Sequence, residues 1–476
     1  MNLNDAPPPP AALAEAFARQ RQRHGAEGGL AAEARRDALA RLAALLLENG
    51  DALADAVDRD FRGRARAETQ LLELFPAVES IRHARRHVRA WMRPRRVPTG
   101  LWFKPGRSRV VPQALGVVGI VVPWNYPIYL AIAPVVSALA TGNRVMVKMS
   151  EAAPATGGLL QRLVAERFDP ALLTVVNGDA EMARAFVALP FDHLLFTGST
   201  AVGREVMRAA AANLTPVTLE LGGKSPAIVG RGMPAEEAAA RILHGKCLNA
   251  GQTCIAPDYA LVPRERLAAF EAGARAAVAR MYPRLGDNGD YSAIIAPRHR
   301  ERLVACVEEA RGAGVRVVEL NPAGEDLGSG PKLAPTLLIE PSPELRVMRE
   351  EIFGPVLPVI AYDALDEAIA FVNARPRPLA LYVFDRDRAA IARVLERTVS
   401  GGVTVNETLL HVAQEELPFG GVGASGMGRY HGRAGFDTFS HAKAVFYPSR
   451  LNAVALFRPP YGRRFRALMR ALLRFP

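Results

Sequence analysis

Two short motifs lie at the centre of the sequence, Leu219-Glu220-Leu221-Gly222-Gly223-Lys224-Ser225-Pro226 and, after a helical stretch, Gly251-Gln252-Thr253-Cys254. The first supplies a carboxylate, Glu220, and the second supplies a thiol, Cys254. A thiolate can attack an electrophilic carbon to form a covalent adduct, and a nearby carboxylate can activate the water that releases the product. Glycines beside both residues allow close approach of a bulky ligand and a tight turn before the thiol. The two motifs together predict a covalent catalytic site.

Other interpretations of the thiol stay open on the sequence. A lone Cys is most often a small buried hydrophobe. His244, Cys247 and Cys254 lie close together, but they contain neither a Cys-x-x-Cys pair nor a second nearby His, so the spacing argues against zinc and we predict no metal. Three unevenly spaced cysteines, the third being Cys306, are typical of free thiols in a reducing compartment, and we predict a cytoplasmic protein.

Composition indicates a large globular protein. A mass of 51.3 kDa is too great for one compact core and predicts two or three domains, and 49% apolar residues argue against disorder. The net charge of +12 comes from 54 Arg and 6 Lys scattered along the chain, which we interpret as compositional bias rather than a nucleic-acid surface. A phosphate-bearing cofactor would suit this charge. No secretory leader is visible in residues 1–12, and the apolar runs Ala114 to Trp124 and Ile128 to Ala140 are too short to span a membrane.

The pattern of elements predicts an α/β protein. Helical stretches come first, from Leu13 to Arg23, from Ala31 to Asn49, where Gly50 closes the helix, and from Ala67 to Trp91, which Pro76 cuts. Short Val- and Ile-rich strands then alternate with helices. The first group of strands comprises Gly116 to Val122, Arg144 to Lys148, Leu173 to Val176, His193 to Phe196 and Thr215 to Leu219. Repeated β-α-β units predict a parallel, doubly wound, Rossmann-like sheet with ligands at the carboxyl ends of its strands.

A second α/β region follows, and its strands run from Pro226 to Asn406. We predict a cofactor-binding domain of residues 1–95 and 115–224, a catalytic domain of residues 225–425, and a small β arm for oligomerisation of residues 96–114 and 426–450. The remaining residues, 451–476, form a tail with a basic amphipathic helix from Arg463 to Arg474. Such a helix either docks on the body, which we favour, or lies on an anionic membrane surface.

Strand-to-helix turns supply candidate cofactor residues. Gly198 and Ser199 begin a helix, whose free backbone amides and dipole could bind a pyrophosphate, although Ser199 could equally be a plain helix cap. Lys148 and Glu151 follow another strand and could hold ribose hydroxyls or form a surface ion pair.

Two further turns contain side chains that could bind a reaction intermediate or a cofactor. Asn125, with Trp124 before it and prolines on both sides, offers an amide donor for an oxyanion, or it is a structural turn. Glu351 and Phe353 are two positions apart and would point the same way if extended, so that one could hold a ribose while the other packs on a flat ring. The alternative is an ordinary turn ending at Gly354-Pro355.

These segments, in their order along the chain, resemble the aldehyde dehydrogenase superfamily from the helices before Pro94 to about Tyr447. The step of 34 residues from Glu220 to Cys254 is similar to that family's step from general base to nucleophile. The stretches from Val405 to His411 and from Pro418 to Gly428 resemble the coniferyl aldehyde dehydrogenase branch. Many family members have a Lys where Gly423 stands and an acidic residue where Tyr430 stands.

The resemblance implies NAD(P)-dependent oxidation of an aldehyde to a carboxylic acid in a homodimer or higher oligomer. Cys254 would be the nucleophile, Asn125 would stabilise the oxyanion, and Glu220 would activate water. The resemblance also implies the cofactor contacts, which are Trp124, Lys148, Glu151, Gly198, Ser199, Glu351 and Phe353. We predict NAD in preference to NADP, because a carboxylate at Glu151 facing the adenine ribose would repel a 2′-phosphate. The alternatives are a coenzyme-A-acylating or long-chain aliphatic aldehyde dehydrogenase, or a non-catalytic relative of the fold.

Overall fold

The computed structural model describes residues 10–328, 330–452 and 457–474. The parts of the predicted first domain and tail that fall on residues 1–9, 453–456 and 475–476 lie outside the described residues. The α-helices are α1 (Ala11–Glu27), α2 (Ala32–Glu48), α3 (Gly50–Phe61), α4 (Arg66–Thr69), α5 (Phe75–Trp91), α6 (Tyr129–Thr141), α7 (Pro154–Arg167), α8 (Ala180–Val187), α9 (Thr200–Ala211), α10 (Ala235–Cys247), α11 (Leu267–Met281), α12 (Pro297–Gly312), α13 (Arg346–Arg349), α14 (Leu365–Asn373), α15 (Arg388–Arg397), α16 (Gly432–Thr438) and α17 (Arg463–Arg474). The strands are β1 (Arg95–Val97), β2 (Arg107–Ala114), β3 (Val117–Val121), β4 (Arg144–Lys148), β5 (Leu173–Val176), β6 (His193–Gly198), β7 (Val217–Leu221), β8 (Pro226–Val229), β9 (Tyr259–Pro263), β10 (Arg316–Glu319), β11 (Thr336–Ile339), β12 (Val356–Tyr362), β13 (Ala380–Phe384), β14 (Gly402–Val405), β15 (Gly426–Met427) and β16 (Ser440–Tyr447).

The first sheet has the order β15-β7-β6-β3-β4-β5 and is parallel except for β15. Helices cover it because its strands are apolar on both faces, and α6, which is apolar all round, has every residue buried. The chain runs outward from β3 to β5 and returns through β6 on the other side of β3. The carboxyl ends of β3 and β6 therefore form the crevice where doubly wound sheets bind ligands.

The second sheet has the order β10-β11-β12-β9-β8-β13-β14 and is parallel except for β10. A third, antiparallel sheet joins β1, β2 and β16. Two parallel α/β layers and a small β arm confirm the predicted fold class.

The predicted helix from Ala31 to Asn49 ends where expected, since α2 stops at Glu48, just before Gly50. The prediction missed α3, which begins at Gly50 and buries Leu53, Val57 and Phe61 in the core. Pro76 does not cut a helix as predicted, since it lies in the first turn of α5, where its missing N–H costs little. The irregularity comes earlier, as a π-helix over Gln70–Leu74 that buries Glu73.

The range 426–450 divides between two parts of the molecule. β16 extends the arm, whereas β15 pairs with β7, and Phe436 of α16 packs on Trp91 of α5 with ring centroids 5.6 Å apart. The domain division itself stays a prediction.

The tail helix α17 lies beside the arm. Its Met469 and Leu472 line a groove of about 440 Å³ together with Trp102 and Phe446. This position favours docking of the helix on the body over a role at a membrane surface. Docking nevertheless stays a prediction. In the part of the chain that is described, no helix combines the length and apolar character needed to cross a membrane.

Candidate active site

Cys254 follows an unusual left-handed turn. Asn249, Ala250 and Gly251 have φ angles of 51°, 50° and 75°. A Cβ on Gly251 would lie 2.3 Å from the carbonyl oxygen of Gly354, so only glycine fits there. The Gln252 side chain holds the turn by donating to the carbonyl oxygens of Asn249 and Ala293, both at 2.9 Å. The sequence indicated the glycine but gave no sign of the two left-handed residues before it.

The Cys254 thiol lies in an electrostatically costly position for a thiolate. Burial raises its pKa to about 12, and the nearby carboxyl groups of Glu351 and Glu220 add to this. The backbone N–H groups of Cys254 and Ile255 act in the opposite direction. The two other cysteines, Cys247 and Cys306, are buried and reduced.

Glu220 is a buried carboxyl group in β7, beside Thr197 of β6. Among the described residues, neither of its carboxyl oxygens has a hydrogen-bond partner. Burial therefore raises its pKa well above the ordinary value of 4.5. A raised pKa makes the carboxylate a stronger base than an exposed one, and basicity is what a general base needs.

Asn125 follows β3 and is tied to the turn that precedes Cys254. Its side-chain Nδ2 donates to the carbonyl oxygen of Gln252 at 3.1 Å. Its own carbonyl oxygen accepts from Asn249 Nδ2 at 2.9 Å and from Arg64 Nη1 at 3.2 Å. These bonds bring the predicted oxyanion donor and the predicted nucleophile into one buried assembly.

Glu351 lies against the first motif. A Cβ on Gly222 would be 2.0 Å from Glu351 Oε2, so the missing side chain of Gly222 is what admits this carboxyl group. Burial, with nearby Asp258, raises the pKa of Glu351 to about 8, although the Gly223 N–H and Lys224 oppose the shift.

Phe353 is not extended as predicted, because its φ is 51°. The neighbouring Asp258 holds this strained segment by accepting from the Ile352 N–H at 2.9 Å. The Phe353 ring meets Trp124 edge-on, with centroids 5.3 Å apart. Trp124 also packs on His299 at 5.1 Å.

The remaining candidates lie at the strand ends of the first sheet. Ser199 is exposed and caps α9, since its hydroxyl oxygen accepts a hydrogen bond from the Val202 N–H at 3.4 Å. The structure thus shows Ser199 as a helix cap, and its contact with a pyrophosphate stays a prediction. Lys148 is buried, and its ammonium donates to the carbonyl oxygens of Met149 and Gly178 at 2.7 and 2.8 Å. Within the described ranges no ion pair joins it to the exposed Glu151, so the surface-pair alternative is wrong.

Sequence reasoning did not assign a role to several residues at this site. The Tyr382 hydroxyl donates to the carbonyl oxygen of Ile255, next to the thiol. Tyr430 is buried, and the proximity of Glu220 and Cys254 helps to raise its pKa. Tyr382 lies in an apolar strand, which gave no signal, whereas Tyr430 was noticed only as an unusual residue.

Comparison with known proteins identifies the family. The model of the aldehyde dehydrogenase family matches residues 10–445. The chain belongs to this family. The dehydrogenase is 52% identical to a probable coniferyl aldehyde dehydrogenase of Pseudomonas aeruginosa over 95% of this chain and 94% of the relative. It is 48% identical to a coniferyl aldehyde dehydrogenase of Pseudomonas sp. (strain HR199) over 99% of this chain and 98% of the relative.

Solved structures agree with this assignment. Substrate-bound AldH from Staphylococcus aureus superposes with a TM-score of 0.91 at 35% identity, covering 97% of this chain and 99% of the other. Betaine aldehyde dehydrogenase of the same organism, solved with NAD⁺, gives 0.83 at 26% identity, covering 94% and 89%. The predicted family, fold class and enzyme class are confirmed: the protein is an NAD(P)-dependent aldehyde dehydrogenase.

Proposed function

We propose that this dehydrogenase oxidises an aromatic aldehyde of the coniferyl aldehyde class to the carboxylic acid through a covalent adduct on Cys254. The observation that carries the chemistry is the convergence of a half-buried thiol, a buried carboxyl group without a hydrogen-bond partner among the described residues, and an amide donor, from Cys254, Glu220 and Asn125. The substrate class is supported by identities of 48% and 52% to relatives named for coniferyl aldehyde.

In the first stage the Cys254 sulfur attacks the aldehyde carbon and forms a thiohemiacetal. The carbonyl oxygen becomes negatively charged, and the Asn125 amide and the Cys254 backbone N–H are the donors proposed to stabilise it. The bound dinucleotide would supply the hydride acceptor and a positive charge that favours the thiolate. Loss of hydride leaves a thioester on Cys254.

In the second stage Glu220 accepts a proton from water, and the resulting hydroxide attacks the thioester carbon. The carbon–sulfur bond breaks, the acid leaves, and the Cys254 thiolate is regenerated. Such a carboxyl group suits this role because no other group in the described part of the chain competes for its oxygens. Its presence argues against transfer of the acyl group to coenzyme A, where a second thiol replaces water.

The residues at the crevice fit a dinucleotide. Glu351 Oε1 is buried without a partner among the described residues, so this oxygen is available to accept a hydrogen bond from a ribose hydroxyl. We propose that Glu351, Phe353 and Trp124 hold the nicotinamide riboside, and that Gly198 and Ser199 at the start of α9 hold the pyrophosphate. Lys148 and Glu151 would hold the adenine ribose, and Glu151 would favour NAD because a carboxylate repels a 2′-phosphate.

We propose a homodimer or higher oligomer built through the arm sheet. An antiparallel sheet whose edge strands, β1 and β16, are mostly exposed is suited to pair with a second copy. Light scattering after gel filtration should give at least twice the chain mass of 51.3 kDa, and a monomer at micromolar concentration would contradict this.

The test of the function is turnover on three aldehydes, followed by NADH absorbance. Coniferyl aldehyde and benzaldehyde should be oxidised with higher kcat/KM than a long alkanal, and added coenzyme A should not change the rate. Preference for the alkanal would favour the aliphatic alternative. Dependence on coenzyme A would favour the acylating alternative, and no turnover on any aldehyde would favour a non-catalytic relative.

A further inference from the structure

We infer that Arg64 and Glu68 are a positioning pair that holds Asn125 in register with Cys254. The inference rests on the proposed function, because it concerns the geometry of the oxyanion donor. Neither residue is among the groups proposed to touch the aldehyde or the dinucleotide.

The chain brings Arg64 into the interior by a sharp turn after α3. Arg62 and Gly63 have φ angles of 56° and 132°, and the Arg64 N–H donates to Asp58 Oδ1 at 2.9 Å. The Arg64 side chain is fully buried. Its guanidinium lies 5.1 Å from the ring centroid of Phe61 and 4.9 Å from that of Tyr126, so two aromatic faces fix its plane.

The guanidinium acts directly on Asn125. Arg64 Nη1 donates to the Asn125 carbonyl oxygen at 3.2 Å, and Asn249 Nδ2 donates to the same oxygen at 2.9 Å. The Asn125 side chain in turn donates to the Gln252 carbonyl oxygen at 3.1 Å. Because both its backbone and its side chain are bonded, the direction of the Asn125 amide is determined by these partners.

Glu68 holds the left-handed turn that precedes Cys254. Its two oxygens accept from the Asn249 N–H at 3.1 and 3.0 Å, and Oε2 also accepts from Ser292 Oγ at 2.6 Å. Glu68 Oε2 lies 3.5 Å from Arg64 Nε. One ion pair thus joins the Asn125 turn after β3 to the left-handed turn that presents Cys254.

A second buried carboxylate extends the assembly to α6. Glu73 Oε1 lies 3.9 Å from Arg64 Nη2. Glu73 Oε2 accepts from the N–H groups of Ile128 and Tyr129 at 2.8 and 3.3 Å, which fixes the chain just after Asn125. The π-helix that buries Glu73 therefore helps to fix the position of the turn that carries Asn125.

This buried charged cluster serves to place the Asn125 amide accurately rather than to stabilise the fold. Buried ion pairs contribute little net stability, since desolvation offsets their attraction. An oxyanion donor, in contrast, works only if it is placed accurately, and a displacement of about 1 Å can cost about a hundredfold in rate.

The test compares variants at Arg64 with matched variants at Arg35. Arg35 is also buried and also donates to backbone carbonyl oxygens, those of Leu30 and Ala140, at 2.6 and 3.1 Å, but it belongs to no part of the site. Arg64→Lys should lower kcat about tenfold and Arg64→Met about a hundredfold, with the KM for NAD changed less than about threefold. Arg35→Lys and Arg35→Met should lose thermal stability without this loss of kcat. An equal loss of kcat in the Arg35 variants would overturn the inference.

Two further measurements separate positioning from general damage. Alkylation of Cys254 by iodoacetamide forms no oxyanion, so its rate in Arg64→Lys should stay within about twofold of wild type. The double variant Arg64→Met/Asn125→Ala should be no slower than Asn125→Ala alone, because both changes remove the same donor. Losses that multiply, or alkylation that slows as much as oxidation, would overturn the inference.

Failure of the proposed function would look different. If Cys254→Ala kept its activity, the covalent mechanism itself would be wrong. Multiplying losses at Arg64 and Asn125 in an enzyme that needs Cys254 would refute the positioning role alone.

Discussion

Gly222→Ala tests the close contact between the backbone at Gly222 and the carboxyl group of Glu351. The added Cβ would lie 2.0 Å from Glu351 Oε2 and 2.5 Å from its Cδ. A normal carbon–oxygen contact is about 3.4 Å, so the carboxyl group must move by about 1.4 Å. Glu351 is the end of a flexible side chain, and Gly222 has no left-handed φ that would strain alanine, so the fold should survive.

The functional consequence should be large. A displacement of this size at a group proposed to hold the nicotinamide ribose should lower kcat about a hundredfold. Gly223→Ala is the matched control, because a Cβ there has only ordinary contacts, the nearest at 3.6 Å. The assay is NADH formation at saturating aldehyde, with Tm measured on both variants. A Gly222→Ala enzyme with more than about a tenth of the wild-type kcat, or a Gly223→Ala enzyme that loses as much, would refute the reasoning.

Three further predictions address the thiols, the cofactor and the buried acid. Cys254→Ala should abolish oxidation with the fold intact, whereas Cys247→Ala and Cys306→Ala should keep most of the activity; residual activity of Cys254→Ala above about a thousandth of wild type would exclude the thiol as nucleophile. Comparison of kcat/KM for NAD and NADP should favour NAD, and Glu151→Gln should narrow the difference; equal values in the wild type would mean that Glu151 does not face the 2′ position. Burial raises the pKa of Glu220 above its ordinary value of 4.5. The contribution of this group to stability is therefore greatest below pH 4.5, where the group is protonated in both states, and it is lost as the pH rises through the folded-state pKa. The Tm of Glu220→Gln should accordingly exceed that of wild type by a growing margin from about pH 5 to about pH 8. A constant difference would show that Glu220 keeps an ordinary pKa.

The sequence predicted the elements that have a strong local pattern. β3, β4 and β6 are short apolar runs between turn residues, and such runs alternating with helices define a doubly wound sheet. Glu220 and Cys254 could be selected because carboxylates and thiols are chemically distinctive. The family resemblance then supplied a role for Asn125 that its own local pattern left undecided.

What could not be predicted depends on tertiary contacts. The left-handed φ of Asn249 is stabilised by Glu68, which is 181 residues away in the chain. Phe353 departs from the extended conformation because Asp258 holds the neighbouring N–H. Arg64 looks like a surface residue in a basic stretch, and only the turn at Gly63 directs it inward.

The measurement that tests the central claim most directly is rapid mixing of Glu220→Gln with NAD and aldehyde. The amide keeps the shape of the side chain but cannot take a proton from water. Hydride loss from the thiohemiacetal does not require that base, whereas cleavage of the thioester does. The account predicts a burst of NADH close to about one per active site, then very slow turnover, with acyl mass trapped on the peptide that contains Cys254. Loss of the burst together with the steady rate would contradict it, because Glu220 would then be needed to deprotonate Cys254.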